Sequence, residues 1–240
     1  MQFTIRRDIF LDGLTKVQGI IEKKHTIPIL ANILIESKND EIIITATDLE
    51  VGLKSRYKAK VIEEGKITVS AKKMYEIIKE LPDKEINFNS KSNFWVEVKC
   101  HKSLFNLVGL SPEEFPKFPD IKLGNNSIVK SCLNEMIEKT LFSVSNDETK
   151  FNLTGIYIKS DKIDDINKLI FVSTDGHRLS MIQRNLDNEL DERYAEGFIL
   201  PKKGIIEIKK LLETMDENII MGISDNNFSI SNKKTTLIMT

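Results

Sequence analysis

Two short stretches, "TATDLEVGL" at residues 45–53 and "VSTDGHRLS" at residues 172–180, decide how this chain reads. Each sets a Thr-Asp pair behind an apolar run, "EIIITA" in the first case and "KLIFVS" in the second. Each is followed by alternating apolar residues and an arginine, Arg56 or Arg184. Taken alone, the later stretch suggests catalysis, because it gathers Asp175, His177 and Arg178 around Gly176. Taken as a pair, the two suggest a repeated turn in which the aspartate carboxylate bonds to backbone amides. Gly-His-Arg is then a specialisation of the second copy alone.

The match continues outward in order. "ILANILIESKND" (29–40) precedes the first turn and "FNLTGIYIKSDK" (151–162) the second. Downstream of both come a glycine, an apolar strand, a Lys-Lys pair, an amphipathic helix and three strands. An ordered match over about 90 residues marks an internal duplication. "MQFTI" (1–5) alternates as a strand does, and Asp8 is placed as N-cap of a helix with Ile9, Leu11, Leu14, Val17, Ile20 and Ile21 on one stripe. The second copy places Leu133, Met136, Ile137, Leu141 and Phe142 likewise. The second helix of each copy carries Met74, Ile77, Ile78 and Leu81, or Ile205, Ile208, Leu211 and Leu212, with Pro201 in the first turn. The predicted class is α+β: two repeated domains, each with two helices packed on one face of antiparallel sheets. Each reads strand, helix, three strands, strand, helix, three strands. The boundary falls in "SPEEFPKFPDIKLGNNS" (111–127), which holds three of the six prolines. This gives domains 1–118 and 127–240 joined by a linker, 119–126.

Composition excludes several classes. The chain has 240 residues, 40% of them hydrophobic and 30% charged, with a net charge of -1, so any nucleic-acid role must rest on where charges sit. Cys100 and Cys132 make no disulfide framework and suit a reducing cytoplasm. The N-terminus lacks the apolar core of a signal peptide, and no run of about 18 apolar residues would cross a membrane. His25, His101 and His177 lack metal-ligand spacing, and there is no Gly-rich phosphate loop, so neither metal nor cofactor is expected. The competing reading is a hydrolase using Asp175 and His177, with Ser173 or Ser180 as nucleophile outside any recognisable elbow. It requires a hydrogen-bonded pair beside a concave pocket.

The segments "MQFTI", "TIPILANILIES" (26–37), "TATDLE" (45–50), "LSPEEFPKFP" (110–119), "FNLTGIYI" (151–158), "STDGHRLS" (173–180) and "PKKGIIEIKKLL" (201–212) resemble, in order and over the whole chain, the bacterial replicative sliding clamp family, the beta subunit of DNA polymerase III. The resemblance implies a DNA-clamp fold and a non-catalytic, cytoplasmic processivity factor for DNA replication. Such a protein encircles double-stranded DNA through basic inner helices and holds its partners through a peptide-docking groove. The implied partners are the DNA polymerase III alpha and clamp-loader subunits and other clamp-binding-motif proteins. Implied DNA-binding residues are Lys24, Lys72, Lys73, Lys202 and Lys203. Segments 72–81 and 202–213 together carry a net of +3, which suits phosphate contacts rather than base contacts. The family's DNA-facing loop maps near Asn146 and Asp147, where the carboxylate would be a poor phosphate partner. The groove wall implied in the second domain is Leu153, Thr174, Gly176, His177, Arg178 and Leu179.

Clamps of this family carry three repeats per chain and close as ring-shaped homodimers, whereas this sequence holds two repeats. Set against its own first half, "TTLIMT" faces "SLFNLVGL" and stops within the last strand. The expectation is a missing third domain, with residues 1–240 alone a monomer whose peptide binding is weak or absent. In the full ring, the first domain around Ser103 to Leu107 meets the third domain of the other subunit.

Overall fold

Alternation of apolar and polar residues becomes two-faced strands in much of the computed structural model, which describes residues 1–21, 27–119, 126–147, 149–187, 189–224 and 226–240. The chain divides into two compact units, Met1–Pro119 with Lys234–Thr236, and Asp120–Lys233 with Leu237–Thr240. The first runs β1 (Gln2–Arg6), α1 (Arg7–Val17), a short 3-10 helix (Pro28–Ala31), β2 (Asn32–Lys38), β3 (Glu41–Thr47), β4 (Val51–Lys58), β5 (Lys60–Glu63), β6 (Gly65–Ser70), α2 (Ala71–Glu80), β7 (Glu85–Ser90), β8 (Trp95–Cys100) and β9 (Ser103–Val108). The second runs β10 (Asn126–Val129), α3 (Lys130–Leu141), a 3-10 helix (Phe151–Leu153), β11 (Gly155–Ile163), β12 (Ile166–Thr174), β13 (Leu179–Asn185), α4 (Arg193–Glu196), β14 (Phe198–Pro201), α5 (Lys202–Leu212), β15 (Asn218–Ser224), β16 (Asn227–Ser231) and β17 (Thr235–Met239).

Within the first unit the strands lie in the orders β5-β1-β7-β8-β9 and β4-β3-β2-β6; within the second, β10-β15-β16-β17 and β13-β12-β11-β14. The predicted element order holds in the second unit, with the one-turn helix α4 added. The first unit adds β5, an exposed edge strand whose burial does not alternate.

Each unit buries the apolar stripes of its helices against its strands. In the first, the Phe3 and Phe88 rings stack at 4.6 Å, and Phe10 of α1 meets them edge-on at 6.2 and 6.5 Å. Each such ring contributes about 2 kcal/mol by burial and roughly 1 more by ring geometry. The buried stripe of α1 is Phe10, Gly13, Leu14 and Val17, at i, i+3, i+4 and i+7. Ile9, Leu11 and Ile21 of the predicted stripe are half-exposed. Asp8 is not the N-cap: Arg6 holds that position, and Asp8 sits in the first turn, where its charge opposes the helix dipole favourably. Pro201 likewise precedes α5 as its extended N-cap residue, φ -59° and ψ 145°, rather than lying in the first turn. In the second unit Leu133, Met136 and Ile137 of α3 and Ile205, Ile208, Leu211 and Leu212 of α5 are buried. Phe142 leaves the predicted stripe; it is the C-cap residue of α3 and is exposed.

The duplication extends to backbone angles. The hairpins β2–β3 and β11–β12 turn on Asn39–Asp40 (φ 50° and 56°) and Asp164–Asp165 (φ 52° and 59°), pairs in which both residues are left-handed, as a tight hairpin requires. The Thr-Asp turns agree bond for bond. Asp48 Oδ1 accepts from the Glu50 and Val51 amides at 2.9 and 2.7 Å, and Thr47 Oγ1 from Leu49 at 3.0 Å. Asp175 Oδ1 accepts from the His177 and Arg178 amides at 3.0 Å each, and Thr174 Oγ1 from Gly176 at 3.1 Å. The third residue of each turn is left-handed: Gly176 at φ 91°, Leu49 at φ 81°. Glycine takes that angle freely, whereas leucine is strained there and is 53% exposed. Leu49→Gly is therefore expected to stabilise the first unit by about 1 kcal/mol, read as a higher urea midpoint at unchanged slope. A lower midpoint would mean that the leucine side chain contributes packing that outweighs its backbone strain.

Candidate functional site

The turn at 174–178 presents a surface whose polar groups are already fixed. The Arg178 guanidinium donates through Nε to Asp175 Oδ2 at 2.9 Å and through its terminal nitrogen to the Phe142 carbonyl at 2.8 Å. It also lies 5.6 Å from the centre of the Phe142 ring. The amides of His177 and Arg178, with the guanidinium adding to them, pull the Asp175 carboxyl down to about 2. Thr174 Oγ1 donates to the Arg178 carbonyl at 2.7 Å, closing the turn from its other side.

Beyond the turn β13 opens on Leu179, 66% exposed, directly opposite Thr174. Leu153, half-buried, closes the 3-10 helix before β11, whose Tyr157 pairs with Val172, so it stands at the same end of this sheet as the turn. Its carbonyl accepts from the Ser145 amide at 2.9 Å. Thr174, Gly176, His177, Arg178, Leu179 and Leu153 thus share one rim of the second unit. Two apolar members of that rim were missed. Phe151, 74% exposed, and Phe142 were passed over because one lies in a short irregular turn and the other continued a helical stripe.

Neither serine is poised as a nucleophile. Ser173 Oγ donates to the Thr140 carbonyl at 2.6 Å, and Ser180 Oγ donates to the Lys139 carbonyl. Asp175 meets His177 through the backbone amide. This is turn geometry, and the arrangement does not assemble a hydrolytic triad.

Of the predicted lysines, Lys24 lies outside the described residues. Lys72 and Lys73 are exposed on the first turn of α2, where Ser70 Oγ accepts from the Lys73 amide at 3.4 Å. Lys72 stands 3.9 Å from Glu76. Lys73 borders a shallow hollow with Ile77, Glu80, Phe105 and Leu107, beside the edge strand β9. Lys202 and Lys203 open α5, half-buried, and the Lys202 ammonium donates to Asn146 Oδ1. Further along, Lys209 pairs with Glu138 at 3.1 Å and Lys210 with Glu207 at 2.6 Å. Asp147, next to Asn146, turns its carboxylate onto the Thr149 amide and hydroxyl at 3.1 and 2.6 Å, which lowers its pKa. Among the described residues no group of three acidic, His or Cys side chains could hold a metal ion, and no helix is long and apolar enough to cross a membrane.

Residues 1–119 match the family described as DNA polymerase III beta subunit, N-terminal domain, and residues 127–240 match the central domain of the same subunit. The chain belongs to the DNA polymerase III beta subunit family. The "Beta sliding clamp" of Chlamydia pneumoniae is 30% identical over 239 residues, covering 99% of this chain and 63% of that protein. The solved Caulobacter crescentus pol III beta superposes with a TM-score of 0.93 at 30% identity, over 100% of this chain and 65% of that one. A DnaN sliding clamp from Bartonella birtlesii bound to griselimycin does so at 0.91 and 29%, over 100% of this chain and 64% of that one. The chain therefore spans less than two thirds of the length of these beta subunits. The expected α+β clamp fold, with few helices against antiparallel strands, is the one observed.

The depressed Asp175 carboxyl sets a pH window for the rim. Its folded value of about 2 lies below the ordinary value of about 3.9, so its support of the turn is complete above about pH 4 and is lost as pH falls through about 2. The Asp175 side-chain carboxyl carbon resonance should hold its ionised position down to about pH 4 and then move with a midpoint near 2. A midpoint at the ordinary carboxyl value would overturn the bond set described.

Proposed function

We propose that this chain acts in DNA replication as the first two domains, 1–118 and 127–240 joined by 119–126, of a ring-forming sliding clamp. The clamp is a non-catalytic processivity factor of the cytoplasm. It encircles duplex DNA and keeps polymerase and other DNA-handling proteins on it. The observation that carries the reading is the match, in order, of both beta-subunit domains to the two copies of one duplicated fold.

The physics of the lysines supports it. A protein that must move along DNA needs phosphate contacts without base readout. Lysine offers a hydrated point charge on a flexible stem, where arginine would grip a phosphate through two fixed bonds. Lys72, Lys73, Lys202 and Lys203 at the starts of α2 and α5, with Lys24, are the proposed contacts. Charge reversal by Lys202→Glu and Lys203→Glu should weaken duplex binding and lower the slope of log affinity against log salt by about 2, measured by fluorescence anisotropy at several salt concentrations. An unchanged slope would remove these lysines from the contact.

The rim of the second unit serves in this reading as one wall of a groove for short peptides. Such peptides belong to the DNA polymerase III alpha subunit, the clamp-loader subunits and other clamp-binding-motif proteins. Leu153 and Leu179 form its apolar floor, Thr174 and Gly176 its backbone edge, and His177 and Arg178 its polar rim. Griselimycin, found on the Bartonella clamp, is the probe. Leu179→Asp should weaken griselimycin binding at least tenfold in calorimetry while leaving the unfolding transition in place, because the side chain is 66% exposed. Equal affinity for both proteins would sink the assignment. The edge strand β9, with Leu104 and Phe105 exposed, is the proposed subunit contact of a homodimeric ring.

A further inference from the structure

The stretch 142–146 follows the end of α3, and both proposed sites of the second unit bond to it. From the rim, the Arg178 guanidinium donates to the Phe142 carbonyl at 2.8 Å, and the Leu153 carbonyl accepts from the Ser145 amide at 2.9 Å. Ser173 Oγ and Ser180 Oγ, from β12 and β13, cap the carbonyls of Thr140 and Lys139 in the last turn of α3, so the helix end is tied to the same two strands. From the other side, the Lys202 ammonium donates to Asn146 Oδ1.

These bonds close a ring. Thr154, next to Leu153, offers its carbonyl to the Lys202 amide at 2.9 Å. That amide opens α5 and is one of the donors a helix leaves without an intrahelical partner. Lys202 returns through its side chain to Asn146, and Asn146 follows Ser145, which bonds back to Leu153. Much of the ring is fixed. Ser145 is buried, and Gly155, next to Thr154, approaches the Leu200 carbonyl too closely for a β-carbon to fit. The link between Asn146 and Lys202 is exposed.

The first unit cannot form this ring. Ser70 lies opposite Asn32 and Pro201 opposite Gly155, so Ala71 stands where Lys202 does. Ala71 is buried, and its side chain has no donor. Gly52, in the register of Leu179, carries no side chain and lies under the Phe118 ring. The lysine and the apolar rim residue are specialisations of the same unit.

The exposed link is the one that a phosphate would break. An amide oxygen is a neutral acceptor, and a phosphate oxygen is a charged one, whose bond to an ammonium is about twice as strong. A phosphate that takes the Lys202 ammonium opens the ring at Asn146, and the Ser145–Leu153 bond loses the tie on its neighbour. We propose that duplex contact at Lys202 and docking at Leu153 oppose one another through Asn146. A ligand seated on Leu153 favours the closed ring and returns the ammonium to Asn146; a phosphate does the reverse. Such coupling is reciprocal, so each ligand weakens the other by the same factor. The factor is that of one exposed side-chain hydrogen bond, about threefold. A partner docked on the rim thereby relaxes the hold of α5 on the DNA backbone, which suits a clamp that moves with its partner attached. The inference rests on the docking and DNA readings above and adds a regulation to them.

The test measures griselimycin affinity for the whole chain by calorimetry, with and without a short DNA duplex at a concentration that saturates its own anisotropy curve. The duplex should weaken griselimycin about threefold, and Asn146→Ala should abolish that dependence. In chain labelled at side-chain amides and leucine methyls, the duplex alone should shift the Asn146 amide and the Leu153 methyls along one saturation curve. Griselimycin affinity indifferent to duplex, a duplex effect that survives Asn146→Ala, or Leu153 methyls that stay still while the Asn146 amide moves would each overturn the inference and leave both readings standing. If griselimycin does not bind at all, the docking reading falls; if the duplex leaves the Asn146 amide unmoved, the Lys202 contact falls. The coupling falls with either.

Discussion

One carboxylate oxygen accepting from two successive amides holds the Thr-Asp end of each unit together. In both Thr-Asp turns this oxygen fixes where the outgoing strand begins, and so fixes the register of β4 on β3 and of β13 on β12. Side chains on a strand alternate, so a slip of one residue would exchange its faces. Leu179 and Met181 would turn inward, and Ser180 and Ile182 would take their place. The proposed docking rim is thus a consequence of the turn, and the ion pair of Arg178 with the same aspartate ties that guanidinium to it.

The duplication separates scaffold from specialisation. What both units share, the threonine and aspartate bonds and the left-handed third residue, is what the backbone needs. Where they differ, the first unit has Leu49, Glu50, Val51 and Gly52, and the second has Gly176, His177, Arg178 and Leu179. The first set leaves bare backbone for the chain's own phenylalanine to cover. The second projects an apolar side chain and two nitrogenous ones. Leucine at φ 81° shows that the turn is imposed by its bonds rather than by its third residue.

The order of elements was legible because alternation and helical stripes are local signals, and here each was stated twice. Which of several neighbouring apolar residues faces inward was not. Ile9, Phe10 and Leu11 are equally apolar, and the choice is made across the fold at Gly13. A β-carbon there would stand 2.7 Å from Ile44 Cδ1 and 2.8 Å from the Tyr57 ring, so this side of α1 lies closest to the strands and carries Phe10 with it. The strand β5 was missed because it lies at an edge and leaves no alternation. The rim residues in the turn were legible from their motif. Phe151 and Phe142 were not, because their exposure depends on where α3 ends and how the following turn folds. The lysines were visible as a pattern, but their acceptors were not: Glu138 and Asn146 come from distant parts of the sequence.

Those acceptors bear on how a chain of net charge -1 would serve DNA. Lys72 and Lys209 stand in exposed ion pairs on the surface of their helices. Such pairs contribute about 0–1 kcal/mol each, so an approaching phosphate replaces the carboxylate at little cost and releases it again as easily. A ring that encloses its DNA needs no tight grip, since dissociation requires the ring to open. A dense, unpaired basic surface would add affinity at every position and with it friction against movement. Near-neutral charge with loosely paired lysines is therefore what a sliding contact calls for, and the low net charge, which on composition alone left any nucleic-acid role to the placement of charges, fits the proposed role once retention is assigned to topology.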